Sequence, residues 1–382
     1  MFVENVLISG PIGISAGKKI AGLYLIERNI KLLSQVGIKK IYIDFSAEDL
    51  ELFNKKIFKH VKNVGAATCR PQIITDKSAS PPRNILKLTP AIFLQQQYFN
   101  YPEKYFKKQN THYTPIISDE LFEIKNGDDI KKGEKLISDY IIKNTGGFIA
   151  QKINKRISLP ISIRMAKTRI HPNYLTVFNM IIGLLSSYFI YLSTLSYFSD
   201  KINYFLMAAL GGLFFQAASV LDGVDGEVAK FTLTVSKLGG WLDTLSDNAT
   251  LLLFLISNSY LFYTVMGGTA SFITIAVLFI SLAIMLFIMV NYLSKYSDSG
   301  SLVAYDREFL QKLPPSDKLV QFALKMKYLT KKEMFSIIFC LIGFTGYIYL
   351  IIPMAAFALF SSAVILTIIH FRYIKQVVKK KL

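Results

Sequence analysis

The chain has 382 residues, 52% of them apolar, and a formal net charge of +18, so it is long enough for two or three domains and too apolar for all of them to be soluble. Cys69 and Cys340 offer neither a disulfide framework nor a metal-ligand spacing, which fits a reducing interior. No helix-turn-helix, RNA-recognition or zinc-finger pattern accompanies the positive charge; the basic residues flank apolar segments, where they meet anionic headgroups, so membrane lipid rather than nucleic acid is the expected partner.

Residues 1–140 read as a cytoplasmic α/β domain. A strand at Asn5–Ser9, a helix from about Leu23 to Val36, a strand at Lys40–Asp44 and a charged helix from Ala47 to about His60 follow βαβ logic and imply a parallel sheet. Beyond about residue 75 the alternation weakens and the strand order is not legible. A polar stretch, IKNGDDIKKGEK, leads into a helix near Leu136–Ile142. Residues 141–172 form a juxtamembrane segment: from Gly146 to Pro172, Ile153, Ile157, Ile161 and Met165 recur every four residues between cations, the pattern of one or two basic amphipathic helices lying in the membrane interface. The opening MFVENVLISG is strand-like and lacks the basic and apolar regions of a signal peptide, so the first span is expected to direct insertion.

Residues 173–382 read as an all-α membrane domain of about six spans, near 174–196, 203–225, 238–261, 268–294, 334–352 and 354–374. Lysines and arginines crowd before the first span, between the fourth and fifth and after the sixth, while the links near 197–202, 262–267 and 352–354 carry only Lys201. The positive-inside rule then puts both termini and the α/β domain in the cytoplasm of a cell-membrane protein.

Asp222, Asp225, Asp243 and Asp247 lie in this apolar region, where a lipid-facing charge is expensive and a functional site is the default expectation. On helices, Asp222 and Asp225 are i,i+3 neighbours and Asp243 and Asp247 are i,i+4 neighbours, so each pair shares a face. The short link from Thr232 to Lys237 lets the two helices fold back and bring the pairs together. Gly226, Ala229, Gly239 and Gly240 keep the carboxylate-bearing faces free of bulk, either for a ligand or for a small-xxx-small packing seam. Four converging carboxylates need protons or cations to neutralise them. An oxygen-only set suits one or two hard ions, Mg²⁺ or Mn²⁺, and such ions with a carboxylate base are the parts of a displacement at phosphorus. A carboxylate-based ion transporter is the alternative of a different class.

The pattern Asp222-x2-Asp225-Gly226-x2-Ala229-Lys230-x8-Gly239-x3-Asp243-x3-Asp247 resembles the signature of the CDP-alcohol phosphotransferases. The resemblance implies a transferase that moves a phosphoalcohol from a CDP-alcohol to an acceptor alcohol or alcohol phosphate and releases CMP. It implies Asp222, Asp225 and Asp243 as metal ligands, with Asp247 completing the cluster and acting as the base. Gly226, Ala229, Lys230 and Gly239 would accommodate the CDP group, and a homodimer is the expected assembly. Lys230 departs from the family's usual arginine, keeping the charge but losing the bidentate fork. Pro172-Asn173-Tyr174-Leu175-Thr176 is similar to the family's first-helix start, with Asn173 expected to cap the helix and either Asn173 or Thr176 to reach the nucleotide. Arg164, Lys237, Arg307, Lys331 and Lys332 are the cations available for an acceptor phosphate.

The segment AGLYLIERNIKLLSQVGIKKIYI resembles the helix-strand portion of sugar-nucleotide and cytidylyl transferases, which implies a nucleotidyltransferase-like, Rossmann-like domain and leans towards an inositol-phosphate chemistry. The loop ISGPIGISAGKK has shifted glycines and no following arginine, and fails as a Walker A loop. The domain therefore reads as a cytidylyltransferase relative that has lost catalysis; the alternative is a bifunctional enzyme that also makes its own CDP-alcohol.

Overall fold

The structure, a computed structural model, describes residues 4–10, 19–55, 72–75, 85–90, 92–95, 97–100, 102–109, 112–146, 149–296, 305–306, 308–314, 316–329 and 332–379. The chain forms two compact units. The first comprises Met1–Thr145, Leu159–Pro172 and Gly226–Ser236, and the second Gly146–Ser158, Asn173–Asp225 and Lys237–Leu382. The chain thus leaves the second unit after Asp225 and returns to it at Lys237, within the aspartate motif itself.

The strands of the first unit are β1 (Asn5–Ser9), β2 (Lys19–Ile20), β3 (Leu23–Tyr24), β4 (Lys40–Asp44), β5 (Gln72–Ile74), β6 (Ile85–Leu88), β7 (Phe106–Gln109) and β8 (His112–Pro115). Six of them form a sheet in the order β5-β4-β1-β6-β8-β7. All pairs are parallel except β7 with β8. The order reverses beside β1, a topological switch point of the kind where doubly wound sheets bind ligands at the carboxyl ends of their strands. The loop that follows β1 there, residues 11–18, carries the glycines at 13 and 17 and lies outside the described residues.

Helices α1 (Leu25–Gln35) and α2 (Ala47–Phe53) follow the expected βαβ path, with Val6, Ile8, Ile26, Ile30, Ile41, Ile43 and Leu86 in one core; the expected continuation of α2 over 56–60 lies outside the described residues. Before α1 the chain makes a β2–β3 hairpin. Its turn residues Ala21 and Gly22 both have positive φ, 45° and 84°, as in a type I′ turn. The polar stretch IKNGDDIKKGEK proves to be mostly helix, the first turns of α3 (Gly127–Lys143). Asn126 accepts from the amides of Asp128 and Asp129, and the Asp129 side chain closes a capping box, which satisfies amides that the helix leaves without partners. Gly133 hides this helix in the sequence. A Cβ there would stand 3.3 Å from Ile20 and Phe93, so close packing needs the glycine.

A π-helical turn, Ala150–Asn154, runs into α4 (Lys155–Thr168). Its buried positions are small or polar, Ala150, Asn154, Ser158, Ser162 and Ala166, together with Leu159, while Ile153 and Ile157 are exposed. An outward isoleucine stripe beside exposed Lys152 and Arg156 is what a helix resting on a lipid surface requires.

The remaining helices are α5 (Pro172–Ser196), α6 (Lys201–Leu221), α7 (Val224–Thr232), α8 (Lys237–Met266), α9 (Gly268–Tyr296), α10 (Lys318–Leu329), α11 (Lys332–Gly343) and α12 (Ile351–Lys379). Among the described residues, five segments are long and apolar enough to cross a membrane: Pro172–Ser196, Lys201–Thr232, Leu238–Met266, Gly268–Tyr296 and Ile348–Ile374. Phe287, Phe357 and Phe371 are more than 70% exposed, which suits lipid and not water, and the chain is an integral membrane protein. The expected span at 334–352 is realised as a shorter apolar helix. It ends at Gly343, and a turn through Gly346, φ 76°, and a 3₁₀ turn at Ile348–Leu350 lead into α12. Twelve residues rise only about 18 Å, short of a hydrocarbon core of about 30 Å.

Small residues bring these helices together. A Cβ on Gly212 would stand 2.9 Å from the Phe339 carbonyl, and one on Gly343 would stand 3.0 Å from that of Ala208, so α6 and α11 cross backbone to backbone. Ser186 of α5 donates to the Gly211 carbonyl at 2.7 Å. Phe215 of α6, Phe254 of α8 and Phe339 of α11 stack beside that crossing, with ring centroids 4.0, 5.6 and 5.7 Å apart. Gly212→Leu should therefore lower the detergent-solubilised protein's stability by about 1–3 kcal/mol, the usual range for overpacking, measured by thermal unfolding; a melting temperature equal to the native one would show that the crossing is not tight.

Candidate functional site: a carboxylate cluster at the ends of three helices

The Phe215–Phe254–Phe339 layer sets the register of the site. Asp222 lies seven residues after Phe215, Asp247 seven before Phe254 and Lys332 seven before Phe339. Seven residues are almost two full helical turns, so each side chain returns to nearly the same face about 10 Å along its helix. Asp222, Asp243 and Asp247 accordingly each present a carboxylate oxygen within 4.8 Å of the others. Lys332 Nζ stands 3.0 Å from Asp222 Oδ1 and 2.8 Å from Asp247 Oδ1. All three aspartates are partly buried. Burial opposes the Lys332 charge, but the attraction of the two carboxylates outweighs it and holds its pKa above the ordinary lysine value.

Asp222 is the C-cap of α6, its amide bonded to the Ala218 carbonyl. Asp222 and Gly223 form a turn between α6 and α7, so Asp222 and Asp225 do not share one uninterrupted helical face. Asp225, 8% exposed, accepts a hydrogen bond from the Thr176 hydroxyl and lies outside the group of three. Asn179, one turn after Thr176, donates from Nδ2 to Asp222 Oδ1 at 3.4 Å. Asn179 is thus a further site residue, and its signal in the sequence is the i,i+3 spacing from Thr176 on an otherwise apolar helix.

Asn173 lies inside the first turn of α5, which starts at Pro172, a favoured first helical residue, and so is not the cap. Gly239 and Gly240 lie near the start of α8. A Cβ on Gly226 or Gly240 would meet nothing within 4 Å, so these motif glycines leave open space, and the packing seam belongs to Gly183, Gly211, Gly212 and Gly343. Gly226, Ala229 and Lys230 belong to the first unit, where Gly226 is exposed, Ala229 is buried and Lys230 lines a cavity. Of the five expected phosphate-binding cations, Lys332 alone is described at the carboxylates. Arg164 is exposed on α4, and Arg307, Lys331 and the side chain of Lys237 lie outside the described residues.

The donor set fits a divalent cation. It is oxygen-only, its three oxygens converge, and a positive group already sits between two of them. At about 4.8 Å and an effective dielectric near 20, two like charges repel by roughly 3–4 kcal/mol, so the cluster requires a counter-charge.

Fold and site together define a polytopic helical membrane protein with an aspartate cluster among its helices. The family model described as CDP-alcohol phosphatidyltransferase matches residues 169–369, more than half of the chain, and the protein belongs to that family. Among curated relatives, the bifunctional IPC transferase and DIPP synthase of Archaeoglobus fulgidus is 32% identical over 134 residues, 35% of this chain and 24% of the relative. The protein of the same name in Aquifex aeolicus is 34% identical over 126 residues, 33% of this chain and 26% of the relative. The archaetidylinositol phosphate synthase of Pyrococcus horikoshii is 33% identical over 121 residues, 31% of this chain and 54% of the relative. The matched segments thus span from about a quarter to about half the length of these relatives.

Replacing Lys332 with Met leaves Asp222 and Asp247 without their cation. In chelator, Lys332→Met should melt several degrees below the native protein, and millimolar Mg²⁺ should recover most of the loss by binding the folded state. A melting temperature insensitive to Mg²⁺ would contradict a metal site here.

Proposed function

We propose that the protein transfers a phosphoalcohol from a CDP-alcohol to the hydroxyl of an acceptor, releasing CMP, at the cytoplasmic side of the membrane. The observation that carries this reading is the convergence of Asp222, Asp243 and Asp247 on three oxygens within 4.8 Å, in a chain of this family. Asp222 and Asp243, with Asp247 and with Asp225 beside them, are the residues to hold one or two Mg²⁺ or Mn²⁺ ions. When bound, such an ion supplies Lewis-acid neutralisation of the donor's phosphate oxygens.

Asp247 is the proposed base. It takes the acceptor's hydroxyl proton while that oxygen forms its bond to phosphorus and the bond from phosphorus to the CMP oxygen breaks, with the negative charge leaving on CMP. Lys332, bonded to Asp247, orients that carboxylate before the substrate arrives, and is placed to take up an acceptor phosphate. Thr176 and Asn179 orient Asp225 and Asp222. Gly240, where an added Cβ would meet nothing within 4 Å, leaves room for the flat cytidine. The acceptor is proposed to be of inositol-phosphate type, which the similarity to the archaetidylinositol phosphate synthase of Pyrococcus horikoshii supports.

A second reading has the first unit making the CDP-alcohol as well. It is favoured by the strand order, whose switch point lies beside β1, and by the word "bifunctional" in the names of two relatives. Full-length protein given CTP, Mg²⁺ and an inositol phosphate releases pyrophosphate under this reading, and releases none if the glycine loop has lost catalysis.

For the main reading, purified protein screened against CDP-alcohols and acceptor phosphates should release CMP only with a divalent ion. Asp247→Asn should lower turnover by about 10²–10⁴-fold, the usual scale of a general base, while retaining part of the Mn²⁺ affinity through Asp222 and Asp243. Asp222→Asn should weaken Mn²⁺ binding too. Undiminished CMP release by either variant would overturn the assignment.

A further inference from the structure

The first unit contains a cavity of about 110 Å³ with Arg28, Gln35, Gln95, Tyr140 and Lys230 in its lining. The rest of the lining is aliphatic, and no acidic residue among the described residues contributes. This volume is several times what a single water needs. The cavity is built by α1, α3, the chain near Gln95 and the end of α7, so it is distinct from the aspartate cluster of the second unit.

Arg28 is the unusual member. It is 3% exposed, and burial lowers its pKa to about 10, which leaves it charged at neutral pH. Its Nη1 donates to the Phe231 carbonyl at 2.7 Å, and the guanidinium lies 5.8 Å from the centre of the Phe93 ring. Both are neutral groups. Its Nε has no hydrogen-bond partner among the described residues, and no carboxylate among them forms an ion pair with it. A buried charge with neither a counter-charge nor a full set of hydrogen bonds is strongly unfavourable. Lys230 adds a second positive group to the same lining.

The end of α7 is prepared in a matching way. Leu233 takes the left-handed conformation, φ 55°, where a glycine is usual, and the Thr234 amide bonds back to the Ala229 carbonyl at 2.8 Å, the longer bond of a Schellman motif. Leu233 packs against the α/β core. Arg28 takes the Phe231 carbonyl, and Gln35 Nε2 donates to that of Leu233 at 3.1 Å. The carbonyl end of a helix ordinarily repels anions; here its oxygens are already engaged by donors.

We propose that this cavity is an anion site that takes a phosphate group, as inorganic phosphate or as a phosphate monoester. The phosphate supplies the missing counter-charge and an acceptor for Arg28 Nε–H. Lys230 meets its charge, and the carboxamides of Gln35 and Gln95 with the Tyr140 hydroxyl surround it with further donors. Tetrahedral oxygens suit donors arriving from several directions better than a planar carboxylate does. The aliphatic lining accommodates the carbon portion of a monoester. Lys230, which the family resemblance places against the CDP group, thereby serves a different anion.

The test is isothermal titration of the full-length protein in detergent and EDTA, with inorganic phosphate in one arm and glycerol 3-phosphate in the other. Saturable binding is expected in at least one arm, and also in an Asp222→Asn/Asp247→Asn variant, which separates this site from the catalytic one. Lys230→Met should weaken binding at least tenfold and Lys230→Arg should retain it, while neutral glycerol gives no heat. Tighter binding of glycerol 3-phosphate supports a monoester occupant and tighter binding of phosphate the free ion. No saturation in either arm, or equal affinity in Lys230→Met, would overturn the proposal.

Discussion

Like charges held together in a bundle of low dielectric are the constraint around which the membrane unit is arranged. Asp222, Asp243 and Asp247 would separate or take up protons if nothing compensated them. Lys332 bridges two of the three, and Asn179 donates to one. A lysine is a workable counter-charge for such a cluster and also a displaceable one, because its flexible stem can carry the ammonium away. Under the proposed function, this resting arrangement prepares the carboxylates to exchange one cation for another.

What brings those groups together lies two turns away. Bulky aromatic rings fill the centre of the bundle, and glycines beside them let α6 and α11 approach backbone to backbone. Because Phe215, Phe254 and Phe339 each stand seven residues from a site residue, a layer with no chemistry of its own fixes the geometry of the layer that has it. The break at Asp222 and Gly223 separates the two aspartates of the first pair, one joining the cluster and the other bonding to Thr176.

Much of this was legible in the sequence. The four aspartates, their glycines and the apolar spans announced a carboxylate site in a membrane domain, and Asn5–Ser9 and Lys40–Asp44 announced parallel strands. Three features were hidden for physical reasons. Gly127 and Gly133 lowered the helical signal of a segment that a capping box and close packing make helical. The heptad link between the aromatics and the site joins helices remote in sequence, and no local period reveals it. Gly343 and Gly346 cut short an apolar run whose composition alone resembled a full span.

The central claim is that Asp222, Asp243 and Asp247 form a divalent-cation site that Lys332 occupies in the metal's place. Crystals of the full-length protein grown with Mn²⁺ and measured for anomalous scattering at the manganese edge test it most directly. The account predicts an anomalous peak bounded by the three carboxylates, with the Lys332 ammonium displaced from between Asp222 and Asp247. A map with no peak there and Lys332 still bridging the two aspartates would contradict it.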